Sequence, residues 1–170
     1  MDATRLREIQ APLKQRYADD PATARHRLRA SADLSAPGVT ATVAGWAGPV
    51  RAGLHPATGG DGSDACSGDM LLEALLACTG VTLRSVATAM GVDIRSANLR
   101  AEGRFDARGT LGVDRDAPVG ITDIVVSVEL DTDADERTLE RLRRSTERYC
   151  VVAHSLKEVP RIEVRRAGDG

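Results

Sequence analysis

The residues best suited to chemistry in this 170-residue chain are its three cysteines, Cys66, Cys78 and Cys150. A thiolate is a nucleophile, and its sulfur passes reversibly through sulfenic acid and disulfide states. Cys78 lies in "LLEALLACTGVTLRSVA", where the small residues Ala77, Thr79 and Gly80 let a neighbouring backbone or helix approach the thiol. Cys150 lies in "RYCVVAHSL", at what reads as a helix end, with His154 one turn on. Free cysteine is also a common small core hydrophobe, and for both residues burial without chemistry is the plain alternative. If the two helices pack together, Cys78 and Cys150 fall within disulfide range, about 5–6 Å between Cα atoms. Cys66 precedes the Cys78 helix in a loop. A loop thiol near a helix start can be reactive and could resolve Cys78 in place of Cys150, or be incidental. His154 either tunes Cys150 or is an ordinary surface histidine.

Other chemistries fit less well. Cys66, Cys78, Cys150, His154 and His55 are numerous enough for a tetrahedral metal site, yet there is no Cys-x-x-Cys pair. The loop "TGGDGSDACSGD" lacks a P-loop lysine and dinucleotide glycine spacing. Its Asp61, Asp64 and Asp69 would repel phosphate. A net charge of -2 and 2% aromatic residues argue against a nucleic-acid partner. The arginines at 25, 27 and 29, and at 141, 143, 144 and 148, read as solvated faces. The start, "MDATRLREIQ", shows no apolar signal region, so a cytoplasmic protein with reduced thiols and no membrane partner is expected. The apolar run Met70 to Val92 holds Glu73 and Arg84 and reads as a poor membrane span.

The elements that must position these thiols follow from periodicity. Leu6, Ile9, Leu13 and Tyr17 predict a helix over 3–18, kinked or started late by Pro12 and ended near Pro21. Residues 24–55 read as a β-meander, followed by a long loop over 55–69. Residues 70–90 are apolar nearly all round and predict a buried helix, with Asp69 or Ser67 as its N-cap and Gly91 as its stop. Strands are expected over 92–106 and 121–130, a helix over 133–153, and a last short strand in "RIEVRRA". Asp133 with Glu136, or Thr132 with Asp135, would cap the 133–153 helix, and Leu139, Leu142, Thr146 and Tyr149 form its inner stripe. The order predicts one α+β domain over 1–170, with antiparallel sheets and a buried central helix carrying Cys78.

The helix context "LL-AL-ACTGVTLR", followed by strands and a helix ending in Tyr149-Cys150, resembles the OsmC/Ohr family over roughly residues 25–166. The names denote osmotically inducible protein C and organic hydroperoxide resistance protein, and the likeness is to a divergent branch. Residues 1–22 would then be an N-terminal helical extension. The resemblance implies an intertwined homodimer and a stress-response, antioxidant, thiol-dependent peroxidase acting on organic hydroperoxides. It implies Cys78 as the attacking thiol, Cys150 as the resolving thiol, no bound cofactor and an external dithiol reductant. Leu71, Leu75 and Leu76 read as the apolar walls of such a site. The family usually carries a Glu nine or ten residues before the first cysteine, which helps hold an activating Arg. Here Asp69 stands nine before, and Arg51 is the nearest candidate for the cation. The family's Cys-Pro-Val-Ser reads Cys150-Val151-Val152-Ala153 here. A non-catalytic small-molecule-binding module of the same fold is the alternative function, and a Cys/His metal site a third.

Overall fold

In a computed structural model that describes residues 1–168, the chain runs α1 (Ala3–Asp19), β1 (Ala32–Asp33), β2 (Ala41–Gly45), β3 (Gly48–Gly53), β4 (Ala65–Cys66), α2 (Ser67–Met90), β5 (Ser96–Arg104), α3 (Ala107–Thr110), β6 (Thr122–Asp131), α4 (Glu136–Tyr149) and β7 (Arg161–Arg166). Asp169 and Gly170, the end of the expected 1–170 domain, lie outside the described residues. The fold is α+β, with sheets ordered β1-β2-β3-β4 and β5-β6-β7. β1 with β2 and β2 with β3 are antiparallel, the latter a hairpin closed where Gly45 faces Gly48. Two pairings depart from the all-antiparallel expectation, because β3 with β4 and β6 with β7 are parallel. Parallel neighbours need a crossover long enough to return the chain. The loop over 54–64 supplies one, and α4 with its flanking turns supplies the other.

The chain divides into two compact units. The first comprises Met1–Arg27, Leu75–Ala101 and the chain from Val125 onward; the second comprises Leu28–Ala74 and Glu102–Ile124. The first holds the core: Leu75, Leu83, Val126, Val128, Leu130, Leu139, Leu142 and Ile162 are buried there. Aliphatic packing replaces aromatic packing, as the composition requires. In the second unit Ala117 is the sole buried hydrophobic residue among those described, while Leu28, Leu34, Val39 and Trp46 are exposed.

α2 begins at Ser67, so Asp69 lies inside the first turn and is not the cap the sequence suggests, nor is Ser67. Gly91, at φ 69°, ends the helix in the left-handed conformation that glycine adopts without strain. Burial is confined to Leu75, Thr79, Leu83 and Ala87, one residue per turn. Val81, by contrast, is 73% exposed. The expectation of a helix buried all round is therefore corrected for the single chain. Apolar composition reports how many faces can be covered, not how many this chain covers itself. By length and composition α2 could cross a membrane, but its buried stripe packs into the first unit's core. Its cation is employed, since Arg84 Nη1 donates to the Ile94 carbonyl at 2.9 Å.

α1 starts directly after its cap, Asp2, whose carboxylate accepts from the Arg5 N–H, and runs through Pro12 without a late start. It buries no residue. α4 is capped by Asp135, which accepts from the Thr138 N–H at 2.8 Å, and neither expected capping pair forms. Thr132 instead donates its hydroxyl to the Asp93 carbonyl at 2.6 Å. Leu139, Leu142 and Thr146 form the inner stripe as expected, but Tyr149 is exposed. The helix stops at Tyr149 rather than 153 because Cys150 leaves helical geometry, at φ -75° and ψ 102°.

Candidate active site around Cys78 and Cys150

Cys78 lies about three turns into α2, one residue before buried Thr79 and at the edge of the helix's inner stripe. That position leaves its thiol half-buried. Cys150 follows the buried α4 positions 139, 142 and 146 at the next helical interval, and is fully buried. The two stripes meet within the first unit. Thr79, the residue after Cys78, is buried there, and its Oγ1 lies 3.6 Å from Cys150 Sγ. Both cysteines are free thiols. Gly80 follows in the same turn of α2. A Cβ there would sit 3.7 Å from the Leu99 side chain, so β5 packs against this stretch of α2.

Electrostatics separate the two thiols. Burial pushes Cys78 up, but hydrogen bonds from the Val152 N–H, the Cys150 thiol, the Thr82 hydroxyl and the Val151 N–H outweigh it, leaving Cys78 below its ordinary 9.0. Burial also pushes Cys150 up, and there the donors from Ala153 and Thr79 do not compensate. Proximity to a charged Cys78 raises Cys150 further. The two thiols are thus shifted in opposite directions from the same ordinary value, Cys78 down and Cys150 up.

The remaining candidates fall elsewhere. His154 is exposed, and its Nε2 lies 3.0 Å from the Glu147 carbonyl; its link to Cys150 is a backbone bond, His154 N–H to the Cys150 carbonyl, at 3.2 Å. Arg51 belongs to the second unit, where both its Nε and its Nη2 donate to Asp64. Asp64, not Asp69, is thus the carboxylate that holds Arg51. Cys66 and Asp69 line an open cavity of about 580 Å³ in the second unit, together with Leu54, His55, Leu72 and Phe105. The His55 ring meets Phe105 edge-on at 5.0 Å, and its Nδ1 accepts from the Ala57 N–H. Leu71 lines the same cavity, whereas Leu75 is fully buried in the core and walls no accessible site. No three His, Cys, Asp or Glu side chains gather into a metal-holding group among the described residues.

Sequence reasoning did not single out Thr82, Val151 or Val152. Thr82 carried a signal: a hydroxyl at i+4 from a cysteine, on an otherwise apolar helix, faces that cysteine. The peptide N–H groups of Val151 and Val152 carried none, because every non-proline residue has one and only the path of the chain aims it.

A family model described as OsmC-like protein matches residues 60–165. No curated protein matches the chain. Among solved structures, an OsmC-like protein from Mycoplasma pneumoniae is 17% identical with a TM-score of 0.67, over 83% of this chain and 96% of that one. An organic hydroperoxide resistance protein from Elizabethkingia anophelis is 10% identical with a TM-score of 0.64, over 84% and 96%. The organic hydroperoxide resistance protein OhrB of Bacillus subtilis is 14% identical with a TM-score of 0.55, over 83% and 98%. At these identities the structural likeness establishes the fold.

Proposed function

This chain belongs to the OsmC-like protein family, and from that premise we propose that it is a thiol-dependent peroxidase that reduces organic hydroperoxides. The observation that carries the reading is the meeting of the two buried helix rows, where Thr79, the residue after Cys78, lies 3.6 Å from the Cys150 sulfur, with the two thiols shifted in opposite directions. The Cys78 thiolate attacks the terminal oxygen of ROOH. The O–O bond breaks, an S–O bond forms, and the departing alkoxide takes a proton to leave as alcohol. Sulfur is oxidised and the peroxide reduced. The Cys150 thiol then condenses with the sulfenic acid, forming the disulfide and releasing water. An external dithiol reduces the disulfide by exchange, is itself oxidised, and restores both thiols. The chain needs no bound cofactor for these steps. Reduced thiols of this kind suit the cytoplasm.

The protein acts as a homodimer in this reading. The second unit buries almost no apolar side chain of its own, and exposed α2 residues 74, 77 and 81 recur at helical spacing along one stripe. A second copy covers such faces.

The test is to treat reduced protein with one equivalent of cumene hydroperoxide and map the thiols by mass spectrometry. A Cys78–Cys150 disulfide formed within seconds supports the reading. A Cys66–Cys78 disulfide retains the peroxidase and replaces the resolving partner. Three unreacted thiols overturn it in favour of a binding module without turnover, a reading that the cavity beside Cys66 also suits.

A further inference from the structure

The backbone of Cys150 is pinned on both sides. Its N–H donates to the Thr146 carbonyl at 3.1 Å, and its carbonyl accepts from the His154 N–H at 3.2 Å. What remains to be fixed is the thiol, which turns about a single Cα–Cβ bond. Thr79 meets it there: Thr79 Oγ1 lies 3.6 Å from Cys150 Sγ, and both residues are fully buried. Sulfur is larger than oxygen and a weaker partner, so its hydrogen bonds are longer. A threonine inside a helix can bond the carbonyl four residues back. Thr88 of α2 does so with Arg84, and Thr146 of α4 with Leu142, each at 2.8 Å. The Thr79 hydroxyl instead leaves its own helix and reaches the end of α4. Both partners belong to the first unit and are covered within one chain, so a second copy reaches neither.

While Cys150 is a thiol, either atom can be the donor. Once the sulfur is ionised it only accepts, and the hydroxyl must donate. Bonds to an ionised acceptor are roughly twice as strong as neutral ones, so the contact tightens as charge develops. A buried thiol needs such a donor. Burial pushes Cys150 above its ordinary value, and the Thr79 hydroxyl acts against that rise. We propose that Thr79 is a positioning residue for the resolving thiol: its hydroxyl fixes the Cys150 sulfur in the reduced protein and donates to it as it becomes the nucleophile that closes the disulfide. The inference rests on reading Cys150 as the resolving thiol. In that step the Cys150 S–H bond breaks and its sulfur attacks the sulfur of the Cys78 sulfenic acid. An S–S bond forms, the S–O bond breaks, and the departing hydroxide takes the proton and leaves as water. The Cys150 sulfur is oxidised and the sulfenic sulfur reduced, while Thr79 keeps its own proton.

The test follows closure of the Cys78–Cys150 disulfide in the full-length protein by rapid quenching and mass spectrometry. The pair is closed with one equivalent of cumene hydroperoxide or, separately, of dipyridyl disulfide. The second reagent exchanges with Cys78 to leave a mixed disulfide, from which Cys150 displaces thiopyridone without any peroxide chemistry. Thr79→Val removes the hydroxyl and keeps the side chain's shape. It is expected to slow closure about tenfold, with dimedone trapping more Cys78 sulfenic acid in the peroxide arm. Thr79→Ser keeps the hydroxyl and is expected to close at the wild-type rate. A merely structural role predicts the reverse order, because serine leaves a void where the buried methyl was and valine does not. The inference is overturned if Thr79→Val closes as fast as the wild type, or if Thr79→Ser is slowed as far as Thr79→Val. If Thr79→Val does not fold, Thr79→Ala against Thr79→Ser makes the same comparison, since the two differ only by the hydroxyl. A pair that closes only with dipyridyl disulfide, slowly without the hydroxyl and normally with it, sinks the peroxidase and upholds the role of Thr79. A pair that closes with peroxide at one rate in every variant does the reverse. No Cys78–Cys150 disulfide from either reagent overturns the role of Thr79 along with that of Cys150.

Discussion

At the scale of single residues, the site depends on an asymmetry between two chemically identical groups. Cys78 is half-buried and surrounded by donors; Cys150 is fully buried and short of them. Replacing Cys78 by serine is expected to reduce hydroperoxide consumption to the buffer rate, measured by peroxide assay. Replacing Cys150 by serine leaves the first step intact, so a dimedone adduct on Cys78 is expected after one equivalent of peroxide, with no disulfide. The pH dependence has a definite sign. Cys78 is held below 9.0 in the folded protein, so its thiolate contributes stability that is present above that ordinary value and is lost as pH falls through the folded one. Its alkylation should therefore reach half-maximum below pH 9.0, and that of Cys150 above it. A single curve shared by both peptides would contradict the asymmetry.

At the scale of elements, α2 and α4 are what bring the sulfurs together. α4 sets Cys150 by continuing the buried row through Leu139, Leu142 and Thr146. Leu142→Ala leaves a void in a fully buried position and is expected to cost about 2–5 kcal/mol in denaturant unfolding. Asp135→Ala removes the cap bond to Thr138 and is expected to cost about 1 kcal/mol. The solvent face of α4 is laced by Glu140 with Arg143 and Arg144, and by Arg143 with Glu147. Hydrogen bonds from Arg143 and Arg144 hold the Glu140 carboxyl down to about 2. Any contribution from this cluster is present above the ordinary value of 4.5 and is lost only as pH falls through about 2. A carboxyl titration of Glu140 by NMR checks this. These pairs answer two charges, those of Arg143 and Arg144, of the arginine-rich face that the sequence presents as solvated.

At the scale of the whole molecule, the cores of the two units are unequal. Among the described residues, every buried hydrophobic side chain except that of Ala117 belongs to the first unit. Exposed Val81, in the middle of α2, tests the proposed homodimer. Val81→Glu puts a charge on the exposed stripe without entering the buried row. It is expected to shift the protein from dimer towards monomer in analytical ultracentrifugation, with loss of thermal stability. An unchanged sedimentation coefficient would place any self-association on another face.

The sequence by itself determined the apolar helix around Cys78, the helix ending at Cys150, the strand at "ITDIVVSVEL" and the family, because periodicity and local motif are properties of contiguous residues. Tertiary structure decided the rest. The parallel pairings of β3 with β4 and of β6 with β7 depend on where long connections return, which no local pattern encodes. The partner of Arg51 proved to be Asp64, since an ion pair is chosen by the approach of a strand and a loop and not by spacing from a cysteine. The approach of Thr79 to the Cys150 sulfur joins α2 to the end of α4, and only the folded path of the chain brings residues so far apart in sequence within 3.6 Å.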